Sequence, residues 1–146
     1  MTAAVAALVC EEIVVPDTGS TGADLLELMQ EAVDLYRGGS LAGRLMPNLV
    51  GGMAQRHELA AAVRDGFLAG RRAALTDVLQ RGVDRGDLRP DLDLELALDL
   101  LGGPLFYRLL ITGGAIDEQL ATGVADLILR GFAPDAKPGK QKEPTR

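Results

Sequence analysis

The sequence predicts an all-α fold, a helical bundle of about six helices, and three observations predict it. Apolar residues recur at spacings of three and four along most of the chain, which is the helical period. No run alternates apolar and polar with period two for long, and β-branched residues cluster only at Ile13-Val14-Val15. Between the periodic runs stand residues that stop and start helices: Gly38-Gly39 before Ser40, Gly86 before Pro90, and Gly113-Gly114 before Asp117.

Taken in order, the first helix is short, about Thr2 to Glu12. Residues 1–15 hold no Lys or Arg, whereas a secretory leader needs a basic start, so the opening reads as part of the fold. Cys10 follows an Ala/Val/Leu run and reads as an inert buried thiol. It is the single cysteine, so it forms no internal disulfide, which suits a reducing, cytoplasmic compartment. Pro16-Asp17-Thr18-Gly19-Ser20 is a loop by its turn residues. A second helix begins near Gly22-Ala23-Asp24. Leu25, Met29, Ala32 and Tyr36 form its stripe, with Leu28 and Val33 beside it and Asp24, Glu27, Glu31 and Asp34 outside. The third, Leu41 to Met53, contains Gly43, Pro47 and Gly51-Gly52, and is expected to be weak and broken at Pro47.

A long helix is expected from about Glu58 to Arg85. Leu59, Val63, Phe67, Ala74, Val78 and Val83 keep the apolar period, and Arg64, Arg71, Arg72, Arg81 and Arg85 provide the polar side. Gly86 suits the position after a helix, and Pro90 blocks continuation. Asp91 or Asp93 caps the fifth helix, which extends to Thr112. The last runs from about Asp117 to Arg130, with Ile116, Leu120, Val124, Leu127, Ile128 and Phe132 on one face. From Pro134 there are no core residues, so residues 1–133 form the domain and 134–146 a disordered tail.

The fifth helix is unusual. Between Leu96 and Ile111 only Asp99 and Arg108 are charged. Each charge would cost about 3 kcal/mol near a bilayer centre, which argues against a membrane span. A helix apolar nearly all round must be covered on two sides. Its own bundle covers one, and a partner subunit is the natural cover for the other. Gly102 and Gly103 let another backbone approach closely, and Pro104 bends the helix around that contact. The expected homodimer interface comprises Leu98, Leu101, Gly102, Gly103, Leu105, Leu120, Val124, Leu127 and Ile128.

Charge narrows the partners. All three lysines follow Pro134, so residues 1–133 carry 11 Arg against 19 Asp and Glu, a net of −8. Such a body repels phosphate backbones. The aromatics (Phe67, Phe106, Phe132, Tyr36 and Tyr107) are too few for a base-stacking platform.

At this point the residues resemble a family. Residues 81–134 look like the carboxyl-terminal half of a tetracycline-repressor (TetR) family regulator. The resemblance rests on Arg85-Gly86-Asp87-Leu88-Arg89-Pro90-Asp91, then Gly103-Pro104-Leu105-Phe106-Tyr107-Arg108, then a short amphipathic helix ending at Gly131. The loop Val15–Ser20 also suits the family, and the resemblance covers about residues 1–133. It implies an amino-terminal helix-turn-helix head, an all-helical body that binds a small effector and dimerises, and pairing of the last two long helices with their copies. In the family, effector binding moves the heads and releases the operator. This chain shows no helix-turn-helix before Met1, and residues 1–12 match the helix that would connect head to body. Three explanations stand: a cut at that boundary, a start assigned at an internal Met, or a natural relative without the head. DNA would be met only through a helix-turn-helix absent from this chain.

Catalysis finds little support. The single His57, beside Glu58 at a helix start, reads as a helix-terminal residue rather than a general base or ligand. There is no second His and no Cys pair for zinc. Gly102-Gly103-Pro104 lacks the Lys and preceding strand of a phosphate loop. Asp91, Asp93, Glu95 and Asp99 lack the Gly and distal Glu of a calcium loop and read as helix-start acids. No catalytic residue, metal or cofactor is therefore expected.

An effector pocket has better candidates. Met29, Leu45, Met46, Leu49, Met53, Phe67 and Phe106 are adaptable or aromatic residues on the second to fifth helices, and methionine accommodates varied apolar ligands. Ordinary core packing is the plain alternative for each. Arg71 or Tyr107 could supply a polar contact, and residues 38–53, rich in glycine, are the expected gate. The leading function is thus ligand sensing and dimerisation within a transcriptional regulator, with a small apolar effector. The alternative is a helical homodimerisation module without effector, and a small enzyme ranks last.

Overall fold

The computed structural model describes residues 12–136, and among them are five helical rods and no strand. Residues 2–11 of the expected first helix, with Cys10, and the tail from residue 137 lie outside the described residues. The chain runs as α1 (Thr21–Tyr36), α2 (Leu41–Met53), α3, α4 and α5 (Glu118–Gly131). Helix α3 is α-helical over His57–Ala61, π-helical over Ala62–Leu68 and α-helical again over Ala69–Asp84. Helix α4 spans Leu94–Tyr107 and ends in a π-helical turn, Arg108–Thr112.

Four of the five rods begin at a side-chain cap, which satisfies one of the backbone N–H groups a helix start leaves open. Ser20 accepts from the Ala23 amide at 3.2 Å, Ser40 from Gly43 at 3.0 Å, Asp93 from Leu96 at 3.1 Å and Asp117 from Leu120 at 3.0 Å. Gly86 ends α3 in the left-handed region (φ 81°), where a glycine carries no Cβ penalty. The turn closes with the Asp87 amide donating to the Gly82 carbonyl at 2.9 Å.

Helix α1 is the axis of the bundle. It packs most extensively on α5 and also touches α2, α3 and α4. Leu25, Met29, Val33 and Tyr36 recur every three or four residues along it, and all are buried. Leu25 of α1, Leu79 of α3, Leu101 of α4 and Ala121 of α5 have no exposed surface. At the α1–α3 crossing, a Cβ on Gly82 would sit 2.8 Å from the Thr21 side chain, so the crossing needs glycine.

The structure differs from the sequence expectation in four places. Helix α2 is continuous through Pro47. Proline removes one backbone bond, but Ala42 and Met46 anchor the helix on the core while Pro47 faces solvent. The long helix carries a π segment that no break in apolar spacing announces; Val63 and Phe67 stay buried through it. Leu127 lies off the buried face of α5, at 69% exposure, and Ala121 and Ala125 take its place among Leu120, Val124 and Ile128.

Asp24 is the fourth: it is buried rather than outside the stripe. It accepts from the Thr18 amide at 3.0 Å and the Thr18 hydroxyl at 2.7 Å. Burial alone would raise its carboxyl, but the Thr18 bonds and the charges of Arg81 and Arg85 outweigh it and hold the group below the usual carboxylate range. The same arginines strap the entering chain to α3. Arg81 donates to the Pro16 carbonyl at 2.7 Å and pairs with Asp17 at 2.7 Å, and Arg85 donates to the Thr21 hydroxyl at 2.9 Å.

Candidate functional site: an apolar cavity under helix α4

A cavity of about 360 Å3 lies between α1, α3 and α4, with Ile13 of the entering strap at its edge. Helix periodicity builds it. Leu28, Met29, Ala32 and Tyr36 come from successive turns of α1, and Leu98, Leu101, Leu105 and Phe106 from the inner face of α4. Leu68, Arg71, Ala74 and Leu75 form the α3 wall.

One end is aromatic. Tyr36 stands edge-on to Phe67, with ring centroids 6.3 Å apart, and 5.1 Å from Phe106. The Arg71 guanidinium carbon is 4.9 Å from the Phe67 ring centroid, a cation–π distance. Burial pushes the Tyr36 phenol up to about 12, with the Arg71 charge pulling part of the way back. The phenol is therefore neutral over the physiological range. At the rim, Arg72 bridges to Glu95 at 2.8 Å and to Asp99 at 3.2 Å on α4.

Of the residues expected to bind an effector, Met29, Arg71 and Phe106 line this cavity. Phe67 stands one step back, behind Tyr36 and Arg71. Leu45, Leu49 and Met53 are half-buried on α2, which contributes no wall, and Tyr107 faces outward at 60% exposure. The missed residues are Tyr36 and Ile13, together with the α4 leucines. Tyr36 had a signal: it lies seven residues from Met29 on one stripe. Ile13 had none, since its place depends on how the strap folds back.

The residues expected at a partner interface also divide. Leu98, Leu101, Leu105, Leu120, Val124 and Ile128 are buried in the chain's own core. Gly103 and Leu127 are exposed, and Gly102 is half-exposed. A Cβ on either α4 glycine would meet nothing within 4 Å. The outer side of α4 carries Leu96, Leu100, Tyr107 and Ile111, between 44% and 70% exposed. Their spacing of four, seven and four makes one continuous apolar stripe. Among the described residues no cluster of three His, Cys, Asp or Glu side chains could hold a metal, and no helix is long and apolar enough to cross a membrane.

The family model described as "Tetracyclin repressor-like, C-terminal domain" matches residues 15–128. The chain belongs to the tetracycline-repressor (TetR) family. The match takes in all of α1 to α4 and most of α5, so the helical walls of the cavity and the outer stripe both lie within the TetR C-terminal domain. Among curated proteins, the chain is 36% identical over 123 residues to the uncharacterized HTH-type transcriptional regulator YdeS of Bacillus subtilis, covering 84% of this chain. It spans 59% of that relative's length. Among solved structures, it is similar to the TetR family transcription regulator SCO0332, with a TM-score of 0.73 and 30% identity over 89% of this chain and 69% of that one.

Proposed function

We propose that this chain is the effector-sensing and dimerising part of a TetR-family transcriptional regulator. One observation carries the reading: α4 is the roof of an apolar cavity on one side and an uncovered apolar stripe on the other. A ligand against Leu98, Leu101 and Phe106 pushes on the same helix whose Leu96, Leu100 and Tyr107 would meet a partner. Ligand occupancy and subunit geometry are thereby coupled through one rigid element, with α4 and α5 pairing with their copies across a two-fold axis. DNA is read by a helix-turn-helix of the whole regulator and not by this acidic body, and the setting is cytoplasmic.

Light scattering and calorimetry on the purified chain test the two halves separately. The expected results are twice the chain mass at micromolar concentration and saturable binding of a small apolar ligand. An interface of this kind should bury on the order of 2,000 Å2 in total. A folded monomer would overturn the dimer. A dimer whose melting no apolar ligand raises, and whose cavity accepts a filling Leu101→Trp without consequence for any ligand, would leave the effector-free homodimer module.

A further inference from the structure

Charge and polarity are unevenly placed on the cavity wall, and their placement narrows what it holds. The inference rests on reading the cavity as the effector site. Among the described residues the wall carries the charged side chains Glu31, Arg71, Arg72 and Asp99, two cations against two carboxylates, so it has no net charge. Those charges are already engaged within the chain. Arg72 places Nη2 2.8 Å from Glu95 Oε2 and Nη1 3.2 Å from Asp99 Oδ1. Arg71 and Glu31 each have an interaction partner. A charged ligand would have to break one of these engagements or lie buried without a counter-charge, and an ion stripped of its hydration without compensation is strongly disfavoured.

Tyr36 is different. Among the described lining residues it is the one uncharged polar side chain, and it is only 3% exposed. Burial keeps its phenol protonated and the Arg71 charge acts on it through space, while no described residue hydrogen-bonds to it. A protonated phenol has one hydrogen bond to donate. A buried donor without an acceptor carries a desolvation cost that a ligand can relieve.

The remaining walls, Met29, Leu101 and Leu105, are hydrocarbon, so a second polar group on a ligand would find no partner there. The volume, about 360 Å3, limits the ligand to a small body, since small-molecule pockets span roughly 300–1,000 Å3. We propose that the effector is a small uncharged hydrophobic molecule with a single carbonyl group, held by a hydrogen bond from the Tyr36 hydroxyl with its apolar body against Met29, Leu101 and Leu105.

Probes that share a naphthalene body separate the classes: acetonaphthone, ethylnaphthalene, the naphthoate anion and the naphthylmethylammonium cation. Equilibrium dialysis against the wild-type chain is expected to show the ketone binding about tenfold tighter than ethylnaphthalene, the effect of one buried hydrogen bond. Both ions should bind more weakly than the ketone. Tyr36→Phe keeps the ring and removes the hydroxyl. It should bring the ketone to the level of ethylnaphthalene and leave ethylnaphthalene where it was. Leu101→Trp should weaken both neutral probes by filling the cavity.

Equal affinity for ketone and ethylnaphthalene, tighter binding of either ion than of the ketone, or a ketone preference that survives Tyr36→Phe would each overturn the carbonyl ligand while leaving the cavity as the effector site. Binding by none of the probes, or binding that Leu101→Trp leaves untouched, would overturn both readings. The wild-type ranking decides the matter even if a variant fails to fold.

Discussion

The two sides of helix α4 have nearly the same composition and opposite fates. Ala97, Leu98, Leu101 and Leu105 are at most 5% exposed, whereas Leu96, Leu100, Tyr107 and Ile111 keep 44% or more of their surface. Each set repeats at helical spacing. The inner set packs toward α1, α3 and α5, and its leucines wall the cavity, while the outer set is left largely uncovered by this chain. Hydrophobicity alone therefore states how much cover a helix needs, and the rest of the fold states which side already has it.

The largest effect should come from the inner side. Leu101→Ala removes a side chain with no exposed surface, and a chemical or thermal melt should show a loss of about 2–4 kcal/mol. A loss below about 1 kcal/mol would mean that the neighbours collapse into the space and that the inner side is not the rigid one.

The outer side should respond in association rather than folding. Leu100→Glu places a charge in the middle of the exposed stripe. Sedimentation should shift toward monomer, with subunit affinity falling by about a hundredfold, in line with loss of a central apolar contact. The circular dichroism of the monomer should stay helical. An unchanged dimer would show that the stripe is not where copies meet.

A third experiment extends the comparison from apolar to charged groups. Asp24 is buried on α1, while the other α1 acids, Glu27, Glu31 and Asp34, are exposed. Its carboxyl is held below the usual range, so its contribution is full above the unfolded value, about pH 4, and is lost as pH falls through the lower folded value. Asp24→Asn should cost about 1 kcal/mol at neutral pH through the weakened Thr18 bonds. The gap between wild type and variant should close on acidification. A gap that widens as pH falls would reverse the sign of the argument.

The smallest effect concerns Gly103, which is exposed and where an added methyl would meet nothing within 4 Å. Gly103→Ala should raise helix stability by about 0.5–1 kcal/mol because alanine loses less backbone freedom on folding. Gly103→Leu should be tolerated by the single chain yet weaken association by roughly 1–3 kcal/mol if the glycine lies at the subunit crossing. Comparing melting at low concentration with sedimentation at high concentration separates the two.

Much of the fold was legible in short-range signals. Ser40, Asp93 and Asp117 start helices and Gly86 ends one, because capping depends on a few residues and local dihedral angles, whereas Ser20, read as loop, proves to be the cap of α1. The apolar period placed all five described rods. The misreadings share a cause. Pro47 looks like a breaker until the packing of Met46 on the core is weighed, and Asp24 looks like a surface acid until the strap carrying Thr18 folds over it. Of the site, Met29, Arg71 and Phe106 were legible because adaptable or charged residues on an apolar stripe stand out; Ile13 was not, because nothing local places it.

The sequence by itself determined that the chain is helical, where four of its helices start, and that α4 carries more apolar surface than one neighbour can cover. Those properties follow from spacing and caps, which act within one or two turns. Only the tertiary structure decided which α4 residues face the core, that Tyr36, Phe67, Phe106 and Arg71 gather at one end of a cavity, and that α2 stays outside it. Those depend on how rods rotate and cross, and a rotation of one residue, about 100°, exchanges a buried side chain for an exposed one without altering the period.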